Sequence, residues 1–153
     1  MNYNADVLDN SFLDLTDLFR SEDFTVDFDR EISLEKIDLS KEFEIPVNIK
    51  GTVKNSLGII SFKAQIKGIH KCICARCAED IKLLIESKID TLITLSESKD
   101  DSVSIENGTV DLAKTAYDAL SLEIPMVVLC DESCKGLCPK CGINLNNHQC
   151  NCV

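Results

Sequence analysis

The sequence predicts an α+β fold built mainly on antiparallel β-sheet, one that could curl into a partly closed barrel, with two or three helices and a cysteine-rich appendage at the C-terminal end. Three observations carry that expectation: a long period-2 alternation of apolar residues between positions 58 and 95, a capped helical stripe beginning at Asp111, and an abrupt loss of apolar residues after Leu129. At 153 residues and 44% hydrophobic, the chain can bury one compact core and little more. Residues 1–129 are therefore expected to form the α+β core domain, and residues 130–153 a cysteine-rich tail packed on or beside it.

Taking the elements in order, Phe12, Leu15, Leu18 and Phe19 recur at helical spacing, with Asn10 or Ser11 placed to cap, which predicts a short helix over 11–19. Phe24, Val26 and Phe28 alternate with polar residues as in a half-buried strand, and Phe43, Ile45, Val47 and Ile49 repeat the pattern up to Gly51. The segment 58–72 reads as a longer strand through Ile60, Phe62, Ala64, Ile66 and Gly68, introduced by a turn over 55–58. Ile81, Leu83, Ile85, Ile89, Ile93 and Leu95 continue the alternation, so 58–95 should be two antiparallel strands joined by a tip that bears Cys74 and Cys77. Residues 96–104 have no periodicity and read as a loop. Asn107–Gly108 suits a tight hairpin turn. Asp111 can cap a helix with the stripe Leu112, Ala116, Ala119, Leu120 and Ile124, ended by Pro125.

Beyond Leu129 too few apolar residues are left to order the chain unaided, so an external constraint is expected there. The nine cysteines supply one. Cys138 and Cys141, in C-P-K-C-G, can grip one tetrahedral Zn²⁺, and Gly142 permits the positive-φ turn that aims backbone N–H groups at sulfur. Cys150 and Cys152 follow after eight residues, enough chain to loop back, so these four cysteines form one candidate zinc knuckle. Cys74 and Cys77 are a second C-x2-C in need of two partners, and Cys130 and Cys134 are the candidates left over. Cys72 is then a spare thiol. One or two structural zinc ions are the expected cofactors. The competing readings are iron–sulfur ligation and, for Cys74 with Cys77, a thioredoxin-like redox pair, although such a pair opens a helix in a βαβ unit rather than capping a hairpin. His70 and His148 could substitute as ligands, but four thiolates are already at hand for each site.

No secretory signal is evident at the amino terminus and no stretch approaches the roughly 18 apolar residues that span a bilayer, so a cytoplasmic protein without membrane partners is expected. In that reducing compartment cysteines point to metal or redox chemistry rather than disulfides. The net charge is −10, yet residues 48–90 carry 8 basic and 4 acidic side chains. The acidic total makes a poor general nucleic-acid binder, and the distribution leaves room for a local basic patch or a solvated lysine-bearing sheet face. Lys67, Lys71 and Arg76, next to the Cys74 tip, are the candidate contacts for RNA or a protein partner. Catalysis has little to stand on: no triad order, phosphate loop or H-E-x-x-H is present, and cysteine-filled zinc has no open position for water. No small-molecule substrate is expected.

C-A-R-C (residues 74–77) after a strand, D-L-A…L-S-L-E-I-P-M (residues 111–126) and C-D-E-S-C-K-G-L-C-P-K-C-G-I-N-L-N…C-N-C (residues 130–152) together resemble the YceD family, the large ribosomal RNA subunit accumulation proteins. The likeness is strongest over 68–77 and from Asp111 onward; the first forty residues match only in general character. Ala78 departs from the pattern, which has a larger apolar residue such as Leu there. The resemblance implies a non-enzymatic role in ribosome biogenesis, in the synthesis, processing or accumulation of large-subunit ribosomal RNA, with precursor rRNA or a ribosomal or assembly protein as partner. Zinc-ribbon adaptor and thiol oxidoreductase are the alternatives.

Overall fold

A computed structural model describes residues 10–20, 23–37, 40–93, 103 and 105–152. Its main element is a four-stranded antiparallel meander of β2 (Asp23–Ile32), β3 (Val47–Ser56), β4 (Ile59–Ile73) and β5 (Asp80–Ile93), in that spatial order. A smaller sheet has the order β1 (Phe12–Asp14), β7 (Thr109–Asp111), β6 (Ile105–Glu106), and β7 leads directly into α1 (Leu112–Leu122).

Alternation decides which face of the large sheet is core. Ile60, Phe62, Ala64 and Ile66 of β4 are buried, as are Ile85, Ser87, Ile89 and Ile93 of β5, while Lys63, Gln65, Glu86, Lys88 and Asp90 between them are exposed. Leu112, Ala116 and Leu120 of α1 share one cluster with these apolar side chains and with Leu13 and Val110 of the small sheet. Two glycines sit where there is no room for a side chain, Gly68 under the helix and Gly51 between neighbouring strands of the sheet. A Cβ on Gly68 would lie 2.8 Å from Leu120 Cδ1, and one on Gly51 would lie 2.8 Å from the Phe28 ring and 2.1 Å from the Lys63 carbonyl oxygen. The helix starts where the Asp111 carboxylate accepts from Lys114 N at 3.0 Å, and it ends at Leu122, ahead of Pro125.

Several expectations need correction. Residues 11–19 are not a helix. Phe12–Asp14 pairs with β7, and a 3-10 turn occupies Leu18–Arg20. Leu13, Leu15 and Leu18 are buried and Phe19 partly buried, but Phe12 is 48% exposed, so Leu15, Leu18 and Phe19 of the expected stripe pack while Leu13 takes the place of Phe12. Asp14 accepts from Thr16 N and Thr16 Oγ1, a side-chain turn that competes with helix. Among the described residues there is one α-helix, with two 3-10 turns, rather than two or three helices. The sheet is not closed as a barrel: β2 and β5 are its edges, and α1 with the small sheet covers the inner face that closure would have sealed. The strand expected from Phe43 begins at Val47, past Pro46, which has no N–H for a ladder; Phe43 makes only an isolated bridge to His70. It then runs through Gly51 to Ser56, so the turn into β4 is Leu57 and Gly58, at φ 53° and 87°. The loop expected over 96–104 and the strand end at Leu95 lie outside the described residues, except Val103, which is buried. No described helix is long and apolar enough to cross a membrane.

The crowding at Gly51 predicts that Gly51→Ala lowers the urea midpoint by an amount worth about 3 kcal/mol. Gly58→Ala should cost only about 1 kcal/mol, because its Cβ would meet nothing within 4 Å and only the positive φ is strained. Equal losses at matched metal loading would mean that β3 and β4 relax apart without penalty.

Candidate metal centres

The hairpin of β4 and β5 delivers Cys74 and Cys77 at its tip, and the segment after α1 returns to meet them. Ala75 N donates to Val128 O at 2.9 Å and Leu137 N to Arg76 O at 3.1 Å, which lays the tail along the tip. The Sγ atoms of Cys74, Cys77, Cys130 and Cys134 all lie within 4.8 Å of one another, and so do those of Cys138, Cys141, Cys150 and Cys152. Nearest sulfurs are 3.8 Å apart for Cys74 and Cys134, 3.5 Å for Cys77 and Cys130, 3.5 Å for Cys141 and Cys150, and 3.3 Å for Cys138 and Cys150. Four sulfurs bound tetrahedrally at ~2.3 Å sit ~3.8 Å from each other, so both groups fit a metal ion.

The two groups differ in cover. Cys74, Cys77 and Cys134 are buried and Cys130 is exposed, whereas in the second group only Cys138 is buried and Cys141 and Cys152 face solvent. Cys72, His70 and His148 belong to neither group. His70 is buried against the Phe43 ring, 5.2 Å between centroids, and His148 is exposed.

N–H groups converge on the sulfurs. Burial works to raise the Cys74 thiol, but the backbone N–H groups of Cys77, Cys130 and Arg76 outweigh it and lower it to about 6. The N–H groups of Cys141 and Lys140 bring Cys138 to about 6 as well, in the turn that Gly142 closes at φ 72°. Cys134 is lowered first of all by Asn146, whose Nδ2 donates to its sulfur at 3.2 Å. Cys130, crowded by the sulfurs of Cys134 and Cys77, is pushed up to about 12. At Cys150 the N–H of Cys152 favours the thiolate, yet the sulfurs of Cys138, Cys152 and Cys141 raise it to about 12. Each group thus mixes thiols that ionise readily (Cys74 and Cys134; Cys138) with one that resists (Cys130; Cys150), because thiolates packed this closely need a cation to coexist. A centre filled by four thiolates leaves no position for water, which is a structural rather than a catalytic arrangement.

Arg76, between the two tip cysteines, donates from Nη1 to the carbonyl oxygens of Cys134 at 3.1 Å and Glu132 at 3.4 Å. Its guanidinium therefore holds the returning arm. Ala78 is exposed at φ 58°, so no large apolar side chain packs beneath the tip there. Lys67, on the outer face of β4, is ion-paired with Glu86; Lys71 stands opposite Lys82 on β5. Glu79 was not singled out from the sequence. Its Oε1 accepts from Asn144 Nδ2 at 2.8 Å and Asn147 Nδ2 at 3.2 Å. The cue available was the N-L-N-N run, rich in side chains that bond locally, between two cysteine pairs.

The family described as "Large ribosomal RNA subunit accumulation protein YceD" matches residues 62–153, a span that holds β5, α1, most of β4 and both cysteine groups. The chain belongs to the YceD family. Curated relatives include the chloroplastic YCED homolog 1 of Arabidopsis thaliana, named a large ribosomal RNA subunit accumulation protein, 46% identical over 28% of this chain and 13% of that one. An uncharacterised protein of Mycobacterium tuberculosis is 32% identical over 47% of this chain and 38% of its own length. YlbN of Bacillus subtilis, also uncharacterised, is 30% identical over 63% and 59%. The chain thus covers less than two thirds of each of these YceD relatives. No solved structure matches it.

Two thiophilic divalent ions should bind per chain at neutral pH, counted by metal analysis after reconstitution. The Cys74 and Cys138 shifts are both downward from 9.0, so the stability they lend is present above the ordinary thiol value and lost as pH falls through about 6. Protons also compete with a bound ion for the thiolates, so metal release into a chromogenic chelator should accelerate on acidification. A rate that stays flat down to about pH 4 would exclude thiolate ligation.

Proposed function

We propose that this chain is a non-enzymatic ribosome-biogenesis factor, acting in the cytoplasm and needed for the synthesis, processing or accumulation of large-subunit ribosomal RNA. Each cysteine group holds one structural Zn²⁺: Cys74, Cys77, Cys130 and Cys134 in the first centre, Cys138, Cys141, Cys150 and Cys152 in the second. The observation that carries the biological role is the family match over 62–153. Zinc is favoured by all-thiolate donor sets at tetrahedral spacing, which suit a borderline-soft ion with no preferred geometry of its own. The partner is precursor large-subunit rRNA or a ribosomal or assembly protein, met through Lys67, Lys71 and the tip held by Arg76.

One feature of the outer sheet face favours a protein partner. Lys63 and Lys67 are paired with Asp90 and Glu86, and β2, across β3 from them, adds Asp27, Asp29 and Glu31 to the same face, which lowers its net positive charge for phosphate binding. A zinc-ribbon adaptor that docks a protein is therefore the second reading.

Depletion of the protein should lower mature large-subunit rRNA relative to small-subunit rRNA, read directly from total RNA. An unchanged ratio would sink the biogenesis role. Reversing Lys67 and Lys71 to Glu, with Arg76 left intact because it holds the returning arm, should weaken association with pre-ribosomal particles. Association that survives both the reversal and RNase would transfer the contact to another surface and favour the adaptor.

A further inference from the structure

The two cysteine groups are not built independently. The chain between Cys141 and Cys150 is tethered at both ends by the second group, and its middle leaves that group to grip the first. Asn146 is the point of contact: its Nδ2 donates to Cys134 Sγ at 3.2 Å, and its Oδ1 accepts from Lys135 N at 2.8 Å. Its own N–H donates to Asn144 Oδ1 at 2.9 Å. Asn144 and Asn147 both reach Glu79, two residues beyond Cys77, and Leu145 N donates to Gly136 O at 2.9 Å. Five hydrogen bonds thus join one short loop to Cys134 and to residues that flank Cys77 and Cys134.

We propose that residues 144–147 form a clamp coupling the two metal centres, with Asn146 as the positioning residue that relays occupancy of the second centre to the first. The proposal rests on the reading of both cysteine groups as metal centres. A loop of this length, with little apolar side chain to bury, holds its shape only while its ends are fixed. Releasing Cys141 and Cys150 frees the loop and withdraws the Asn146 N–H from Cys134. Contacts of this outer kind typically change metal affinity by roughly 10–100-fold, because they fix the ligand and stabilise its charge. Since Cys141 and Cys152 face solvent while the first group is mostly buried, the exposed centre is the one that exchanges metal. Loss there loosens the buried centre, which fastens the hairpin tip to the tail. The C-terminal knuckle is therefore a stabiliser of the core site rather than a detachable appendage.

The test uses the full chain loaded with zinc, with release followed by a chromogenic chelator. Wild type should hold two ions and release them in a fast and a slow phase. Cys150→Ser with Cys152→Ser should leave one ion, released about tenfold or more faster than the slow phase of wild type. Asn146→Asp keeps the acceptor for Lys135 N and both cysteine groups but lacks the N–H. It should still bind two ions while its slow phase quickens about tenfold, and in the cobalt-loaded protein the thiolate-to-metal charge-transfer band of the first centre should shift. Combined with the double serine variant, Asn146→Asp should add nothing, the non-additivity expected of one pathway. Fewer than two ions on wild type would overturn the reading of two centres and the coupling with it. Two ions released at rates indifferent to Asn146 and to the second group would overturn the coupling alone.

Discussion

Gathering four sulfurs from the two ends of a long segment into one small volume is the constraint on which the structure depends. Cys77 and Cys130 stand 53 residues apart in sequence and 3.5 Å apart in space. Between them run β5, β6, β7 and α1, so a metal ion at this point would close the whole segment on itself. The cost of such closure grows only slowly with loop length, while the binding energy of a thiolate-held ion is folding energy. The described tail beyond α1 contains no regular helix or strand. Its order comes from the cysteine groups and from the bonds to Ala75, Arg76 and Glu79 at the tip.

The core makes that closure possible by aiming both partners at one place. Strands β4 and β5 stay in register for fourteen residue pairs, from Ile60 with Ile93 to Ile73 with Asp80, which carries the tip clear of the sheet. On the other side, α1 must lie close enough for its C-terminal end to deliver residues 128–134 to that tip. Gly68 allows this approach, because any side chain there would strike Leu120. The Asp111 cap sets where the helix begins, and Glu123, whose N–H donates to Leu120 O, closes it. Sheet, helix and cysteine group thus share one geometric requirement.

Much of this was readable from residue patterns, and the failures have identifiable causes. Alternation in β4 and β5 is strong because one face is buried along nearly the whole length, and a one-residue slip would expose it. The Asn107 and Gly108 turn was equally plain, with φ 52° and 79° as such a hairpin demands. Residues 12–19 misled because two apolar sets overlap there. The helical set includes Phe12, while the set that packs is Leu13, Leu15 and Leu18, chosen by pairing with β7 almost a hundred residues later. Barrel closure failed for the same kind of reason: what covers the inner face is decided by α1 and the small sheet, not by any strand's own sequence.

By itself, then, the sequence determined what depends on near neighbours along the chain: the period of each strand, the caps and turns, and the two-residue gap within each C-x2-C. Such features are fixed by local sterics and short hydrogen bonds, which residue identity and spacing encode directly. Only the tertiary structure decided that Arg76 spends its guanidinium on the carbonyls of Glu132 and Cys134, that Lys67 is matched by Glu86, and that Asn146 reaches across to the sulfur of Cys134. Those contacts join elements that share no periodicity. They arise from how the hairpin tip and the tail are brought together, and a long-range meeting of that kind leaves no mark on the local pattern of either partner.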